Sequence, residues 1–244
     1  MSKTALIMID MQRGFIDPAS PLCIAGAAAT VPACAEAIRF FHGNGQPLVY
    51  AVRHYRADGS DVEKARAKIW TEGGKPLSES CAERLSDAFP DEFERLESDY
   101  TIVKPRFSAF FATSLDLILR RLGVQTVVLA GTTTPNCIRT TCYDALSLDY
   151  DVIVLSDCTS SVSEAVQRAN LEDMQRVGAK IMTLDELKKH GFSRAFFMLI
   201  RLLISFEEHA PKRRSRRSDS VLLRSRCRAG SELGSCRVYR QRLS

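Results

Sequence analysis

Three residues, Asp10, Lys104 and Cys137, carry side chains that together could break an acyl bond. Cys137 follows Gly131 by six residues, at a predicted strand–helix junction that places its thiol at the positive end of the helix. The helix dipole and an adjacent ammonium both lower a thiol pKa and favour the nucleophilic thiolate. A carboxylate can take the thiol proton and deliver it to a leaving amine, while backbone N–H groups of the turn hold an oxyanion. These residue types predict acyl transfer through a cysteine nucleophile.

The spacing of apolar residues predicts the elements that must bring these side chains together. Six short apolar runs predict strands, at 6–9, 48–52, 100–103, 126–130, 152–155 and 180–182. Helical spacing of apolar residues lies between them, at 31–42, 115–122, 137–148 and 163–177, with Gly43 and Gly123 as predicted C-terminal caps. Because the strand runs are continuous, each strand should be buried on both faces. The order predicts a three-layer α/β fold with a six-stranded, mostly parallel sheet.

Ligand sites on such sheets lie at the carboxyl ends of the strands. This rule selects Asp10 after the first strand, His54 after the second and Lys104 after the third. It also selects residues 131–137 after the fourth strand. We therefore expect these residues to meet at one edge of the sheet.

Three segments resemble the signature segments of the isochorismatase-like cysteine hydrolases. They are residues 7–12 (IMIDMQ), 104–110 (KPRFSAF) and 131–139 (GTTTPNCIR). The resemblance extends from about Lys3 to Leu187, and the three segments follow the family's order. Members of this family, such as nicotinamidases, carbamoylsarcosine amidases and ureidoacrylate amidohydrolases, hydrolyse small amides and ureido compounds. The resemblance implies a Rossmann-like fold, a small-molecule amide or ureido substrate, and cleavage of a C–N bond through a thioester intermediate.

The resemblance also implies a role for each matching residue. Asp10 would act as general base and acid, Lys104 as its electrostatic partner and Cys137 as nucleophile. A cis peptide is implied between Thr132 and Thr133. It would direct the N–H groups of Thr133 and Cys137 at the developing oxyanion.

Several other residues are candidates for the substrate pocket. The set comprises Gln12, Phe15, His54, Phe107 and Ser108. Gln12 is equally compatible with orienting the site and with helix entry, and Trp70 with the pocket and with a subunit interface. Arg106 or Arg139 fits either a substrate carboxylate or a surface ion pair.

The sequence departs from the pattern of the metal-containing family members. Their metal is bound by an Asp-x-His pair and a further His, whereas residues 52–56 have no Asp two residues before His54 and no second His nearby. We therefore predict no metal or other cofactor. Cys137 also disfavours the vinyl-ether chemistry of isochorismatases proper, which lack this nucleophile. The loop at 56–61 resembles the ureido and carbamoyl branch. A metal-assisted nicotinamidase and a non-catalytic binding protein on the same fold remain the alternatives.

The net charge of +5 hides two regions of opposite charge. Residues 191–244 contain 13 Lys and Arg against four acids, a net charge of +9, whereas residues 1–190 contain 21 against 25, a net of −4. We predict a hydrolase domain over 1–190 and a basic, poorly ordered extension over 191–244. A reading-frame shift, a natural extension and a binding segment all fit the extension.

Composition also bears on compartment and partners. The N-terminal apolar run is stopped at once by Asp10, and the eight cysteines include no C-x-x-C pair, so we expect a cytoplasmic protein. The apolar run at 195–206 is too short to cross a bilayer. Since the first 190 residues are mildly acidic, we expect no nucleic-acid partner for the catalytic domain. We expect a homo-oligomer in which a neighbouring subunit helps to shape the pocket.

Overall fold

A computed structural model describes residues 3–192, and these residues form one sheet of six parallel strands. The strands are β1 (Lys3–Ile9), β2 (Leu48–Val52), β3 (Tyr100–Val103), β4 (Val124–Thr132), β5 (Asp151–Ser160) and β6 (Lys180–Met182). Their order across the sheet is β3-β2-β1-β4-β5-β6. Every neighbouring pair is parallel, which confirms the predicted α/β class.

Helices cover both faces of this sheet. They are α1 (Arg13–Ile16), α2 (Ala27–Gly43), α3 (Ala67–Glu72), α4 (Leu115–Leu122), α5 (Arg139–Ser147), α6 (Glu164–Arg176) and α7 (Leu184–His190). In β1, Leu6 and Met8 belong to the hydrophobic cluster that includes α2 and α7. Ala5, Ile7 and Ile9 belong to the cluster that includes α4, α5 and α6. Successive side chains of a strand point to opposite faces, so a continuous apolar run fills both layers.

Helix boundaries differ from the prediction in three places. Helix α2 begins at Ala27, four residues early, because buried Ala27 adds a turn of small residues that apolar spacing misses. Gly43 was expected to cap α2 but is its last residue, and the left-handed residue is Gly45 (φ 62°). The predicted helix over 137–148 is split into a π-helical turn at Thr134–Ile138 and helix α5. The cap predicted for α4 at Gly123 is confirmed (φ 72°).

Strands β1 and β4 approach each other very closely at Gly131. Gly131 is paired with Ile9 and has a φ of 112°. A Cβ atom at this position would lie 2.0 Å from the carbonyl oxygen of Ile9. Only glycine fits such an approach, so this contact brings the end of β1 against the turn that follows β4.

The C-terminal extension predicted from residue 191 lies outside the described residues except for Gly191 and Phe192. Within residues 3–192, no helix is long and apolar enough to span a bilayer.

Candidate active site

The structure brings Asp10, Lys104 and Cys137 together at the carboxyl edge of the sheet. Lys104 Nζ lies 2.8 Å from Asp10 Oδ2 and donates a hydrogen bond to Cys137 Sγ at 3.5 Å. All three residues are at most 2% exposed. The ammonium therefore lies between the carboxylate and the thiol in an enclosed site where electrostatic interactions are strong.

Backbone hydrogen bonds to strand β2 hold two of these residues. The N–H of Asp10 donates to Ala51 O, and the N–H of Lys104 donates to Val52 O, each at 2.9 Å. Each residue follows its strand directly, so the sheet's register sets the separation of their side chains.

A cis peptide joins Thr132 to Thr133 at the end of β4. The hydroxyls of Thr133 and Thr134 both donate to the carbonyl of Ser160, at 3.3 and 2.9 Å. The carbonyl of Thr133 accepts from the N–H groups of Asn136 and Ile138, which closes the π-helical turn around Cys137. The turn that carries the thiol is therefore tied to β5 and to its own first residue.

The predicted low pKa of the Cys137 thiol is wrong in direction. Burial raises the pKa of this thiol, and the negative charge of Asp10 raises it further. The positive charges of Lys104 and Arg53 act in the opposite sense without overcoming burial. Burial and Asp10 together outweigh the two cations, so formation of the thiolate requires proton transfer to a base.

A buried ion pair beside these residues was missed in the sequence. Arg53 is fully buried and its Nη1 donates to Glu63 Oε1. Tyr55 Oη donates to Glu63 Oε2 at 2.7 Å, and Pro105 O accepts from Arg53 Nη1 at 3.3 Å. The available signal was that Arg53 directly follows β2 at the same sheet edge, whereas the sequence interpretation chose its neighbour His54.

Gln12 and His54, two candidates for the substrate pocket, lie next to Arg53, and both side chains are hydrogen-bonded within the protein. The Gln12 amide accepts from Arg53 N at 2.7 Å and donates to Arg53 O at 2.8 Å and Asp87 O at 3.1 Å. Both amide hydrogens are thus used on backbone, so Gln12 positions Arg53, in line with the expected orienting role. His54 Nδ1 lies 2.7 Å from Asp87 Oδ2.

The donor set around His54 does not fit a metal ion. Within residues 3–192, no three His, Cys, Asp or Glu side chains come close enough to share one. His54 has one carboxylate neighbour, Asp87, and both side chains are more than a third exposed.

The three remaining pocket candidates are placed in different surroundings. Phe107 lies over the guanidinium of Arg53, with 5.7 Å from Cζ to the ring centroid, and is 36% exposed. Phe15 is buried in a satellite cluster and has the Arg66 guanidinium 5.7 Å from its ring. Ser108 is buried, and its hydroxyl accepts from Phe110 N at 3.1 Å within a turn. Phe107 therefore lies beside the buried charges, and Ser108 stabilises the loop that follows Lys104.

Three other residues that the sequence left open have defined partners. Arg139 pairs with Asp173 on α6 at 3.2 Å, which is the ion-pair alternative. Arg106 donates to the carbonyl of Asp61 at 3.2 Å. Trp70 is 2% exposed and donates its indole N–H to Pro76 O at 2.7 Å, so within the described chain it is a core residue.

Known proteins resemble this chain over the part that holds these residues. The family described as the isochorismatase domain matches residues 4–186. A relative from Arabidopsis thaliana named as a probable inactive nicotinamidase is 37% identical over 75% of this chain and 93% of its own length. A maleamate amidohydrolase from Pseudomonas putida is 32% identical over 74% of this chain and 83% of its own length.

A solved structure supports the same assignment. The isochorismatase family protein from Desulfovibrio vulgaris is 39% identical with a TM-score of 0.72, over 78% of this chain and 98% of that protein. The family match over residues 4–186 contains Asp10, Lys104 and Cys137. The chain belongs to the isochorismatase family.

Proposed function

We propose that this protein hydrolyses the C–N bond of a small amide, carbamoyl or ureido compound through a thioester on Cys137. The observation that carries the proposal is the buried contact of Lys104 Nζ with both Asp10 Oδ2 (2.8 Å) and Cys137 Sγ (3.5 Å). A nucleophile, a base and a cation held within one contact distance are the groups that acyl transfer needs. The maleamate amidohydrolase among the relatives supports an amide substrate.

The first step is proton transfer from the Cys137 thiol to the Asp10 carboxylate. Burial and Asp10 both raise the pKa of this thiol and so disfavour a free thiolate. We therefore expect the thiolate to form as it attacks the substrate, when its negative charge passes to the carbonyl oxygen. Lys104 stabilises the sulfur and the carboxylate in turn, since it contacts both. The thiolate then attacks the carbonyl carbon of the substrate, and the carbonyl π electrons move to its oxygen.

The later steps return the proton and release the acid. The N–H groups of Thr133 and Cys137 hold the tetrahedral oxyanion after the cis peptide. The C–N bond breaks as Asp10 gives its proton to the leaving nitrogen, which leaves a thioester on Cys137. Asp10 then takes a proton from water, whose oxygen attacks the thioester carbon. The C–S bond breaks, Asp10 returns the proton to the departing sulfur, and the carboxylic acid product is released.

The decisive experiment compares two buried cysteines in a panel of small amides, ureides and nicotinamide assayed for ammonia release. Cys137→Ser should lower turnover at least about 10³-fold while the protein stays folded. Cys142→Ser is the matched control, because Cys142 is equally buried on α5 and should keep its activity.

Mass spectrometry of the quenched enzyme should show an acyl adduct on Cys137. A Cys137→Ser variant with wild-type turnover would refute the thioester route. Turnover that is lost on chelation, with nicotinamide as the preferred substrate, would instead indicate a metal-assisted nicotinamidase. Binding of amides with no turnover by any variant would indicate a binding protein on this fold.

We further propose a cytoplasmic homo-oligomer with a catalytic domain over residues 1–190. The six cysteines of the described chain are free thiols, which suits a reducing compartment. Large apolar side chains are exposed at Val103, Phe111 and Leu117, and these are the positions where we propose subunit contacts. Sedimentation velocity would test the oligomer, since a monomer at micromolar concentration contradicts it.

A further inference from the structure

One edge of the Arg53 guanidinium has no partner among the residues that the structure describes. Nη1 is used by Glu63 and Pro105, whereas Nε and Nη2 are buried and unpaired. In an arginine side chain these two nitrogens lie side by side and present two parallel N–H groups. This is the edge that binds a carboxylate with two hydrogen bonds.

Buried donors without partners are rare because losing water without a replacement hydrogen bond costs free energy. The surrounding charges point to an anion as the missing partner. Lys104 is balanced by Asp10, and Arg53 by Glu63. Arg66 Nη1 lies 3.9 Å from Glu63 and its side chain is only 17% exposed, so it adds one positive charge to this region.

Arg53 belongs to the same enclosed region as the reacting groups. It directly follows β2, whose neighbours β1 and β3 lead to Asp10 and Lys104. Its charge acts on Cys137, because it opposes the rise of that thiol's pKa. The ring of Phe107 lies over both Arg53 (5.7 Å) and Arg66 (5.4 Å) and is the partly exposed side chain of this group.

We propose that the Nε–Nη2 edge of Arg53 binds a carboxylate on the substrate, so that the enzyme selects amides or ureido compounds that also carry a carboxylate. This rests on the hydrolase function proposed above. The carboxylate supplies two acceptors to two unpaired donors and neutralises the surplus positive charge. A neutral amide of the same shape supplies only one good acceptor and no negative charge to offset the surplus positive charge.

The kinetic test uses Arg53→Lys in the full-length protein. It compares monoamides of four-carbon dicarboxylic acids with the corresponding neutral diamides. Lysine keeps the positive charge opposite Glu63 but lacks the two parallel N–H groups that bind a carboxylate in a bidentate manner. We expect KM for the monoamides to rise about 10- to 100-fold, with kcat/KM for the diamides changed less than about threefold. Arg139→Lys is the control, since its partner is Asp173, and should change neither substrate.

A binding test separates this inference from the proposed hydrolysis. Maleate, fumarate and succinate are added while Cys137 is alkylated with iodoacetamide, and their neutral diamides serve as controls. We expect a dicarboxylate to slow labelling of the wild-type protein, and Arg53→Lys to need at least about tenfold more for the same protection. Protection without turnover on any amide would leave the carboxylate site standing and remove the hydrolase function.

Three results would overturn the inference. They are no protection of wild type by any of the dicarboxylates, equal protection in Arg53→Lys, and an equal loss of kcat on monoamides and diamides, which marks a purely structural role. Thermal melting checks that Arg53→Lys folds. If it does not, the Arg53→Gln/Glu63→Gln double variant, which removes both charges of the pair, takes its place. Because the charge of Arg53 acts on Cys137, each effect is then measured within the variant: protection relative to its own unprotected labelling rate, and KM for monoamides relative to diamides, with the same loss of carboxylate preference expected.

Discussion

The Cys137 thiol lies among charges that act on its pKa in opposite directions. Burial and Asp10 raise it, while Lys104 and Arg53 lower it. A thiol that stays protonated at neutral pH is protected from adventitious electrophiles and oxidants. In return it depends on a neighbouring base, and Asp10 is the carboxylate that shares Lys104 with it.

This balance predicts opposite effects for two substitutions. Asp10→Asn removes a negative charge, so the pKa of Cys137 should fall, and Lys104→Met removes a positive charge, so the pKa should rise. The pH dependence of iodoacetamide labelling of Cys137 measures both shifts. Labelling of Asp10→Asn should start at lower pH than that of wild type, although its amide turnover is lost with the base.

Asp116→Asn is the control, because Asp116 pairs with Arg120 and Tyr150 and does not act on the thiol. If the pH dependence of Cys137 labelling shifted in the same direction in Asp10→Asn and Lys104→Met, these two charges would not set the pKa of the thiol.

At this scale the sequence predicted the three side chains that meet at the sheet edge and missed the charged side chains beside them. Asp10, Lys104 and Cys137 follow strands in recognisable segments, and the structure brings them together. Arg53 also follows a strand, but it lies in no recognisable segment, and its sequence gives no sign that its side chain is fully buried. Glu63 lies in a loop with no such position. The direction of the thiol's pKa shift was also beyond prediction, because it is set mainly by burial, which is a property of the fold.

At the scale of elements, the site depends on how β1 and β4 end. Apolar runs predicted all six strands. The expected burial on both faces is found in β1, β2 and β4. It is wrong for β3, where only Ile102 is buried, because β3 is an edge strand. The π-helical turn at Thr134–Ile138 could not be read from apolar spacing, since its shape is set by hydrogen bonds to the Thr133 carbonyl and from the Thr134 hydroxyl to β5. The spacing of apolar residues predicts which side of a helix is buried, but it gives no information about these hydrogen bonds.

Two glycines with positive φ test the close approach of these strands. Gly131→Ala would place a Cβ atom 2.0 Å from the Ile9 carbonyl oxygen, whereas the same atom at Gly123 meets nothing within 4 Å. Gly123→Ala should cost about 1 kcal/mol of unfolding free energy, from its left-handed backbone alone.

Gly131→Ala should cost at least about 2 kcal/mol more, because β1 and β4 must separate, and turnover per folded molecule should fall as Asp10 moves from the turn. Urea unfolding of both variants measures the difference. Equal costs would show that the strands can relax around the methyl group.

At the scale of the whole molecule, the proposed catalytic residues and the net positive charge lie in different parts of the chain. The net charge of −4 in residues 1–190 leaves the +9 of residues 191–244 without any counterpart in the proposed chemistry. The family match ends at residue 186, and Asp10, Lys104 and Cys137 all precede it. The average charge of +5 therefore carries no information about the substrate.

One aromatic contact lies beyond the domain boundary that the sequence predicted. Phe192 lies 5.0 Å from the rings of both Phe40 and Phe41 on α2, two residues beyond the boundary predicted at 190. A chain ending after Phe192 should therefore match the full-length protein in melting temperature and in kcat/KM. A chain ending after residue 190 loses this contact and should be less stable by about 1–2 kcal/mol, with unchanged kcat/KM.

Thermal and urea unfolding of the two truncated chains, beside the full-length protein, test this pair. Equal stability of the two would place the boundary at or before residue 190. Loss of turnover in the chain ending after Phe192 would give the basic segment a part in catalysis, because that chain keeps every contact described for Asp10, Lys104 and Cys137. Comparing the two truncated chains thus measures what the packing of Phe192 contributes to stability. Comparing the longer one with the full-length protein measures what the basic segment contributes to turnover.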